Sequence, residues 1–283
     1  STKPPPSTPT QTPPCNNCVA YLTFDDGPDP SSLTLSIATE LARNQIRATF
    51  FFSGTDFNSS WTRVELTCDE YSNTINEYDL VEGGVEQNTS QAAAIEGMGH
   101  ASGIHGWLHQ PWPDGMDADI QIGHEISELN KVGSHPENFQ LLRAPYGGFP
   151  KVCEGSNCRD LPIGGYENWY YYNWTIDSCD AAFSEKECIR PVNSAADIVA
   201  NVAYGLGFDP EKPFRGQSGV HPERNPIILL HSIKNSTANS ILQNLGNEKL
   251  NLITALREMG YTTFMSLPRP GDNRGIPVIG GNR

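Results

Sequence analysis

Apolar and polar positions along this 283-residue chain switch between two periods. Short apolar runs at 19–22, 48–53, 140–144, 226–230 and 261–264 read as buried strands. Between them lie stretches with helical spacing. In 32–45, Leu33, Leu35, Ile37 and Leu41 recur as on a helix face, and 91–98 is a short helix. In 117–132, Ile120, Ile122, Ile126 and Leu129 predict a helix ending near Gly133; 195–204 and 242–259 read as two more, the last stopping at Gly260. Strand–helix alternation predicts a parallel sheet, and at this length a barrel, with chemistry at the carboxyl ends of the strands. Three polar, Gly-containing stretches break the alternation: 54–89, 147–172 and 205–225. Loops of that length in a compact domain are usually functional or disordered. Trp61, Trp169, Tyr170, Tyr171 and Tyr172 place aromatic surface in two of them, as a sugar-binding cleft requires, or else they anchor their own loops.

Candidate chemistry gathers where the apolar runs stop. Asp25 and Asp26 end the first strand, and Gly27-Pro28 forces a turn behind them. Successive strand side chains point to opposite faces, so one carboxylate can bind a metal while its neighbour takes a proton from water. His105 and His109 are four apart, a spacing that puts two imidazoles on one side of a helical turn. Two histidines with one carboxylate leave a coordination position open, which is the catalytic arrangement of zinc. His100 is in excess and reads as structural. Arg143 ends the strand 140–144, where a cation holds a carboxylate ionised. His231 closes the apolar run before it, and Asp177 and Asp180 follow another apolar segment.

Composition narrows the partners. Net charge is -14 with only 19 Lys plus Arg, which argues against nucleic acid. No apolar stretch reaches the roughly 20 residues of a membrane helix. Cys15, Cys18, Cys68, Cys153, Cys158, Cys179 and Cys188 make seven cysteines. Cys15-x-x-Cys18 has no second pair at zinc-finger spacing, so short-range disulfides are expected: Cys153 with Cys158, Cys179 with Cys188, and Cys68 with Cys15 or Cys18, leaving one thiol. Disulfides imply an oxidising compartment. The first fourteen residues hold six Pro and six Ser or Thr, a linker composition that suggests processing from a longer chain. Asn58, Asn88, Asn173 and Asn235 lie in glycosylation sequons.

Five separated segments carry these features in a fixed order, and in this the chain resembles the polysaccharide deacetylases of carbohydrate esterase family four, the NodB-homology domain. The resemblance runs from about Val19 to Phe264. Thr23-Phe24-Asp25-Asp26-Gly27-Pro28 is the first motif, His105 and His109 the second, and Arg143-Ala144-Pro145-Tyr146 the third. Asp177-Ser178-Cys179-Asp180 is the fourth and Leu229-Leu230-His231 the fifth. Ala181 stands where the family has Trp, and Gly106 where Ser or Thr usually follows the first histidine. The resemblance implies a distorted (β/α)7 barrel with an open groove and long loops on its active face. It assigns Asp26, His105 and His109 to a divalent metal, zinc or else Co2+, Ni2+ or Mn2+. Asp25 becomes the general base, Arg143 its brace, and the Tyr146 N–H an oxyanion donor. His231 becomes the general acid, oriented by Asp180 or alternatively Asp177, and Leu229 lines the acetyl pocket together with Tyr146.

The expected organisation is a linker over 1–14, a catalytic domain over 15–268 and a tail over 269–283. The expected activity is removal of acetyl groups from N-acetylglucosamine polymers or oligomers by a secreted or periplasmic monomer, on a carbohydrate substrate, with an appended carbohydrate-binding module beyond this chain. Acetyl xylan esterase is the rival within the class, and an inactive sugar-binding relative the rival outside it. The long loops favour short oligosaccharides over bare chitin.

Overall fold

The computed structural model describes residues 18–54, 85–107, 109, 112, 116–148, 151–154, 157–160, 163–181, 186–217, 220 and 223–272. The linker, Cys15, Cys68, Trp61, Asn58 and most of the tail lie outside them, as does most of the stretch 54–89.

Ten strands and six helices follow one another along the described chain, alternating from β1 to β4: β1 (Val19–Asp25), α1 (Leu33–Arg43), β2 (Thr49–Phe52), α2 (Val85–Gly97), β3 (Ala101–Ile104), α3 (Met116–Lys131), β4 (Leu141–Leu142), β5 (Lys151–Glu154), β6 (Asn157–Asp160), β7 (Tyr170–Tyr171), β8 (Ile176–Asp177), α4 (Ala195–Gly205), β9 (Ile227–His231), α5 (Asn235–Leu242), α6 (Leu252–Glu258) and β10 (Thr263–Phe264). The strand order is β7-β4-β3-β2-β1-β9-β8, with β10 added on β1 and β5-β6 a separate antiparallel hairpin. The pairs β1–β10, β3–β4, β4–β7 and β8–β9 are parallel. The expected α/β class, parallel strands joined through helices as in a distorted (β/α) barrel, is borne out.

The chain divides into two compact units. The first comprises Ser1–Phe24, Glu40–Thr49 and Trp174–Leu267. In it α4 packs on α5, α6 and β8. Its core is built from Ala20, Leu22, Ile198, Val202, Ile228, Leu230, Leu252 and Leu256, all buried. The second comprises Asp25–Thr39, Phe50–Asn173 and Pro268–Arg283. Here α2 packs on β3 and α3. Phe50, Phe51 and Phe52 are all fully buried, as a parallel strand covered on both faces requires.

Three expectations need correction, and one pair of open readings is narrowed. The helix predicted over 242–259 is two helices. Asn244 (φ 57°) and Gly246 (φ 95°) take left-handed conformations that stop α5 from continuing, and the Asn251 side chain accepts the Thr254 N–H to start α6. The His105–His109 segment is not a helical turn: His105 follows β3 directly, Gly106 has φ 92° and His109 φ 48°. Of the two readings of the aromatics at 169–172, burial favours anchoring over cleft surface for three of them. Tyr170 and Tyr171 form β7 on β4, and Trp169, Tyr171 and Tyr172 are buried. Finally, Ile120 of α3 is 47% exposed, and the helix buries Ile122, Glu125 and Leu129 instead.

Of the expected disulfides, Cys179–Cys188 is present. Cys153 and Cys158 face each other in the β5–β6 register. Cys18 is also disulfide-bonded.

Candidate active site

The second unit assembles the metal-type chemistry at strand ends. Asp25 is the last residue of β1, and Asp26 turns the chain with φ 64° before the Gly27-Pro28 bond, which is cis. His105 follows β3, its N–H still donating to Phe52 O (2.7 Å) as though the ladder ran one residue further. Its Nδ1–H donates to Arg143 O at 2.8 Å, which leaves Nε2 as the nitrogen with a free lone pair for a cation. His109 Nε2 lies 3.2 Å and His105 Nε2 3.9 Å from Asp26 Oδ1. One ligand atom from each of Asp26, His105 and His109 falls within 4.8 Å of the others. Two neutral imidazole nitrogens and one carboxylate at that spacing fit a divalent cation of the zinc class and leave ligand positions for water. Burial drives the His105 pKa down to about 4, with the Asp25 charge opposing, so this ring is neutral and able to ligate across the working pH range.

Asp25 is held from the opposite side. Arg143 Nη1 donates to Asp25 Oδ1 at 2.7 Å, while Nε donates to Tyr172 O (3.0 Å) and Nη2 to Asn173 O (3.4 Å). The guanidinium also lies over the Phe51 ring at 4.3 Å. Arg143 is fully buried; burial pulls its pKa below the usual arginine value while the Asp25 charge pushes it up. Asp25 Oδ2 stands 3.6 Å from His105 Nε2, so the carboxylate beside the cluster is fixed in rotation and carries a buried counter-charge. Tyr146 follows on a short 3-10 turn at φ 59°. Its ring is 70% exposed and meets His109 edge-on at 5.1 Å.

The loop joining the two histidines has supports that no sequence motif named. Glu125 of α3, fully buried, accepts the Gly106 N–H at 2.9 Å, and Ser53 Oγ donates to Gly106 O at 3.1 Å. Burial pushes the Glu125 carboxyl well above the usual carboxylate range, against the hydrogen bonds from the backbone of His105 and Gly106. A Cβ at position 106 would meet Trp112 Nε1 at 3.0 Å, and φ 92° already suits glycine. Gly106 is thus matched to a loop whose peptide is clamped by neighbours rather than by its own side chain. The signal for Glu125 was a charged residue on the same helical stripe as Ile122 and Leu129. His100 sits apart, its Nε2 donating to Ala38 O at 2.9 Å, in keeping with a structural role.

The first unit carries the other candidates. His231 ends β9, and its Nδ1 lies 2.7 Å from Asp180 Oδ1, while its own N–H donates to Asp180 Oδ2 at 2.8 Å. The Asp180 side chain is fully buried and that of His231 is 13% exposed. Burial pushes the Asp180 carboxyl up, but hydrogen bonds and charge from His231, with a hydrogen bond from Thr237, outweigh it and hold the group below its ordinary value. Asp177 turns elsewhere: its Oδ1 accepts the Cys179 N–H at 2.7 Å. Leu229 is buried two residues before His231.

A sequence profile of the polysaccharide deacetylases matches residues 13–156. Over 252 residues the chain is 26% identical to the peptidoglycan-N-acetylglucosamine deacetylase of Bacillus cereus, covering 86% of this chain and 67% of that protein. Among solved structures it is similar to the peptidoglycan deacetylase PdaC from Bacillus subtilis, with TM-score 0.53, 21% identity and 89% of each chain covered. It is similar too to the polysaccharide deacetylase Bc1974 from Bacillus cereus, with TM-score 0.54, 22% identity and 93% of this chain and 96% of that one covered. A family 4 carbohydrate esterase from Streptomyces lividans in complex with acetate gives TM-score 0.51 at 20% identity, covering 88% of this chain and 93% of that one. At these identities the structural likenesses establish the fold.

Proposed function

This chain belongs to the polysaccharide deacetylase family, and on that premise we propose that it is a secreted, metal-dependent hydrolase that removes acetyl groups from N-acetylglucosamine-containing polysaccharides or oligosaccharides. The observation that carries this reading is the Asp26–His105–His109 cluster with a second carboxylate, Asp25, beside it in the grip of a buried arginine. Support for an N-acetylglucosamine substrate comes from the curated relative, a peptidoglycan-N-acetylglucosamine deacetylase. Support for an oxidising, extracellular setting comes from Cys179–Cys188.

Asp26, His105 and His109 would hold a divalent ion, of the zinc class by donor chemistry. Such an ion lowers the pKa of water and polarises an acetyl carbonyl. Every other part of the chemistry belongs to side chains and backbone of this protein. Asp25 takes the proton from the attacking water, and Arg143 fixes its rotation. The Tyr146 N–H donates to the oxyanion of the tetrahedral intermediate. His231, its Nδ1 spoken for by Asp180, delivers a proton from Nε2 to the departing nitrogen. Leu229 and Tyr146 bound the acetyl group. The catalytic domain spans 15–268 between the linker and the tail.

The test is product analysis on N-acetyl chitooligosaccharides, peptidoglycan fragments and acetylated xylooligosaccharides side by side, with and without a chelator. Deacetylation of the first or second, abolished by chelator and restored by zinc, supports the reading. Release of acetate from xylooligosaccharides alone makes the protein an O-acetyl esterase, and no release from any makes it a binder.

A further inference from the structure

Two helices hold the Asp180 segment, and they hold different parts of it. The main chain is gripped by α4. Asn201, fully buried, donates from Nδ2 to Ser178 O (3.2 Å) and Arg190 O (3.0 Å), and its Oδ1 accepts the N–H groups of Ile189 (3.1 Å) and Arg190 (3.2 Å). The Cys179–Cys188 disulfide closes the same segment, so Asp180 sits in a stapled loop with both ends tied to one side chain. The carboxylate itself is reached from α5, where Thr237 Oγ1 donates to Asp180 Oδ2. Thr237 is fully buried. A β-branched residue has few χ1 options in a helix, so its hydroxyl is a stiff donor rather than a mobile one. Read as sequence, Thr237 is the last residue of the sequon Asn235-Ser236-Thr237; in the structure its hydroxyl is turned inward to the carboxylate.

We propose that Thr237 is a positioning residue for the proton donor: its hydroxyl fixes the rotation of the Asp180 carboxylate, so that Oδ1 stays on His231 Nδ1 and Nε2 remains the nitrogen that delivers the proton. This rests on the reading of His231 as general acid. The physical logic is a division of oxygens. Oδ2 takes the Thr237 hydroxyl and the His231 N–H, which leaves Oδ1 aimed at the ring. Without Thr237 the carboxylate loses one of two donors on Oδ2 and gains freedom to swing. Two other charged groups bear on this pair: Asp177, which acts on both His231 and Asp180, and Glu187, which acts on Asp177. Both are acidic, so they add to the field of Asp180 and cannot replace its directional bond.

The experiment compares Thr237→Val, which keeps the shape and removes the hydroxyl, with Thr237→Ser, which restores it, in the full zinc-loaded chain. Two readouts are taken: the pH profile of kcat/KM on N-acetyl chitopentaose, and the imidazole 15N–1H spectrum of His231 without substrate. Thr237→Val is expected to lower kcat by roughly tenfold, a part of the whole worth of a general acid, with KM within twofold. Its alkaline limb moves to lower pH, because a carboxylate that swings off Nδ1 favours the imidazolium less, and the Nδ1 proton signal of His231 shifts or broadens by exchange. Thr237→Ser returns all three towards the wild type. A Val variant with wild-type turnover, limb and Nδ1 signal overturns the proposal. So does loss in both variants alike, which marks a packing role. If the wild type hydrolyses no acetylated sugar but the Nδ1 signal still changes in Val and recovers in Ser, the positioning role stands and the deacetylase reading falls.

Discussion

Replacing Arg143 by Met tests the most heavily buried electrostatic contact of the candidate site. The substitution keeps a long side chain over Phe51 but removes the guanidinium, whose Nη1 lies 2.7 Å from Asp25 Oδ1. It also strips the N–H donors from the carbonyls of Tyr172 and Asn173. Both members of the ion pair are at most 3% exposed, so solvent has little access to screen what remains. Removing one member of a buried pair costs about 3–5 kcal/mol, most of it the uncompensated charge left behind. That origin gives the experiment its second arm. If the cost is charge, adding Asp25→Asn to Arg143→Met recovers about 1–3 kcal/mol, because the leftover group is then neutral. If the cost is lost packing, the double variant is no more stable than the single. The assay is urea unfolding at pH 7 followed by far-UV circular dichroism, with kcat/KM measured in parallel on the acetylated substrate. Activity of the single variant should fall by about 10²-fold or more, since a displaced base loses the geometry of attack. Arg143→Lys should fall in between, because an ammonium retains the charge but not the fork that reaches Tyr172 as well as Asp25. A stability loss for Arg143→Met under about 1 kcal/mol, the worth of an exposed pair, would refute the idea that this contact is a buried ion pair fixing the base.

Three further outcomes are expected. His105→Ala should abolish zinc binding by elemental analysis together with hydrolysis, whereas Asp25→Asn should keep zinc and lose about 10²–10⁴ in turnover; a zinc-free enzyme at full rate contradicts both. Asp180→Asn should move the alkaline limb of the pH–rate profile downward, because it withdraws the carboxylate that favours the imidazolium, and Asp177→Asn should move it much less, since Asp177 Oδ1 is engaged by the Cys179 N–H. Asp29→Ala should cost about 1–2 kcal/mol at pH 7 as a lost helix cap, because Asp29 accepts the N–H groups of Thr34 (2.8 Å) and Leu33 (3.2 Å) at the start of α1. Burial raises the Asp29 carboxyl, but the bonds from Ser31, Thr34 and Leu33 outweigh it and hold it below its ordinary value. Its contribution is therefore present above about pH 4 and lost as pH falls through the folded value, so wild type and variant should converge in acid; a gap that widens in acid contradicts the sign.

Elements with one strong period were legible before the structure, and elements that depend on distant partners were not. β1, β2 and β9 are mainly apolar runs, and each formed where its run lies. β3 went unread because Ala101-Ser102-Gly103-Ile104 has almost no apolar signature; it exists because its neighbours supply the ladder and Phe51 needs the space that Gly103 leaves. β7 was hidden for the opposite reason. Its aromatics looked like ligand surface, but an aromatic-rich strand buried on a neighbour has the same composition. The break between α5 and α6 escaped because leucines at 242, 245, 250 and 252 continue an apolar count through a segment whose backbone turns at Asn244 and Gly246. The motif residues were all named from sequence. Their supports, Glu125, Asn201 and Thr237, were not, since each acts through a backbone group or carboxylate 19 or more residues away, or 11 in the nearer bonds of Asn201.

Backbone conformation explains why that boundary falls where it does. Among the described residues, eight non-glycine positions have positive φ: Asp26, Ser32, Gln45, His109, Gln140, Tyr146, Cys179 and Asn244. Gln45 and Asn244 follow the ends of α1 and α5, Ser32 precedes α1, and Gln140 leads into β4, places where chain reversal alone accounts for the turn. The other four are the aspartate and the histidine proposed to hold the metal, the residue whose N–H is proposed for the oxyanion and the cysteine next to Asp180. Left-handed backbone at such residues costs on the order of 1–3 kcal/mol each and persists only where the surroundings over-determine it. Here the surroundings are named: Arg143 and His105 about the Asp25-Asp26 corner, Ser53 and Glu125 on the 105–109 loop, and Asn201 with the disulfide about Cys179. A motif records which side chains the chemistry needs. The strained turns that aim them are held in part by residues outside the motifs, so a sequence that keeps all five motifs and loses Glu125 or Asn201 should still fold into the same strands while presenting its ligands and acid at the wrong angle.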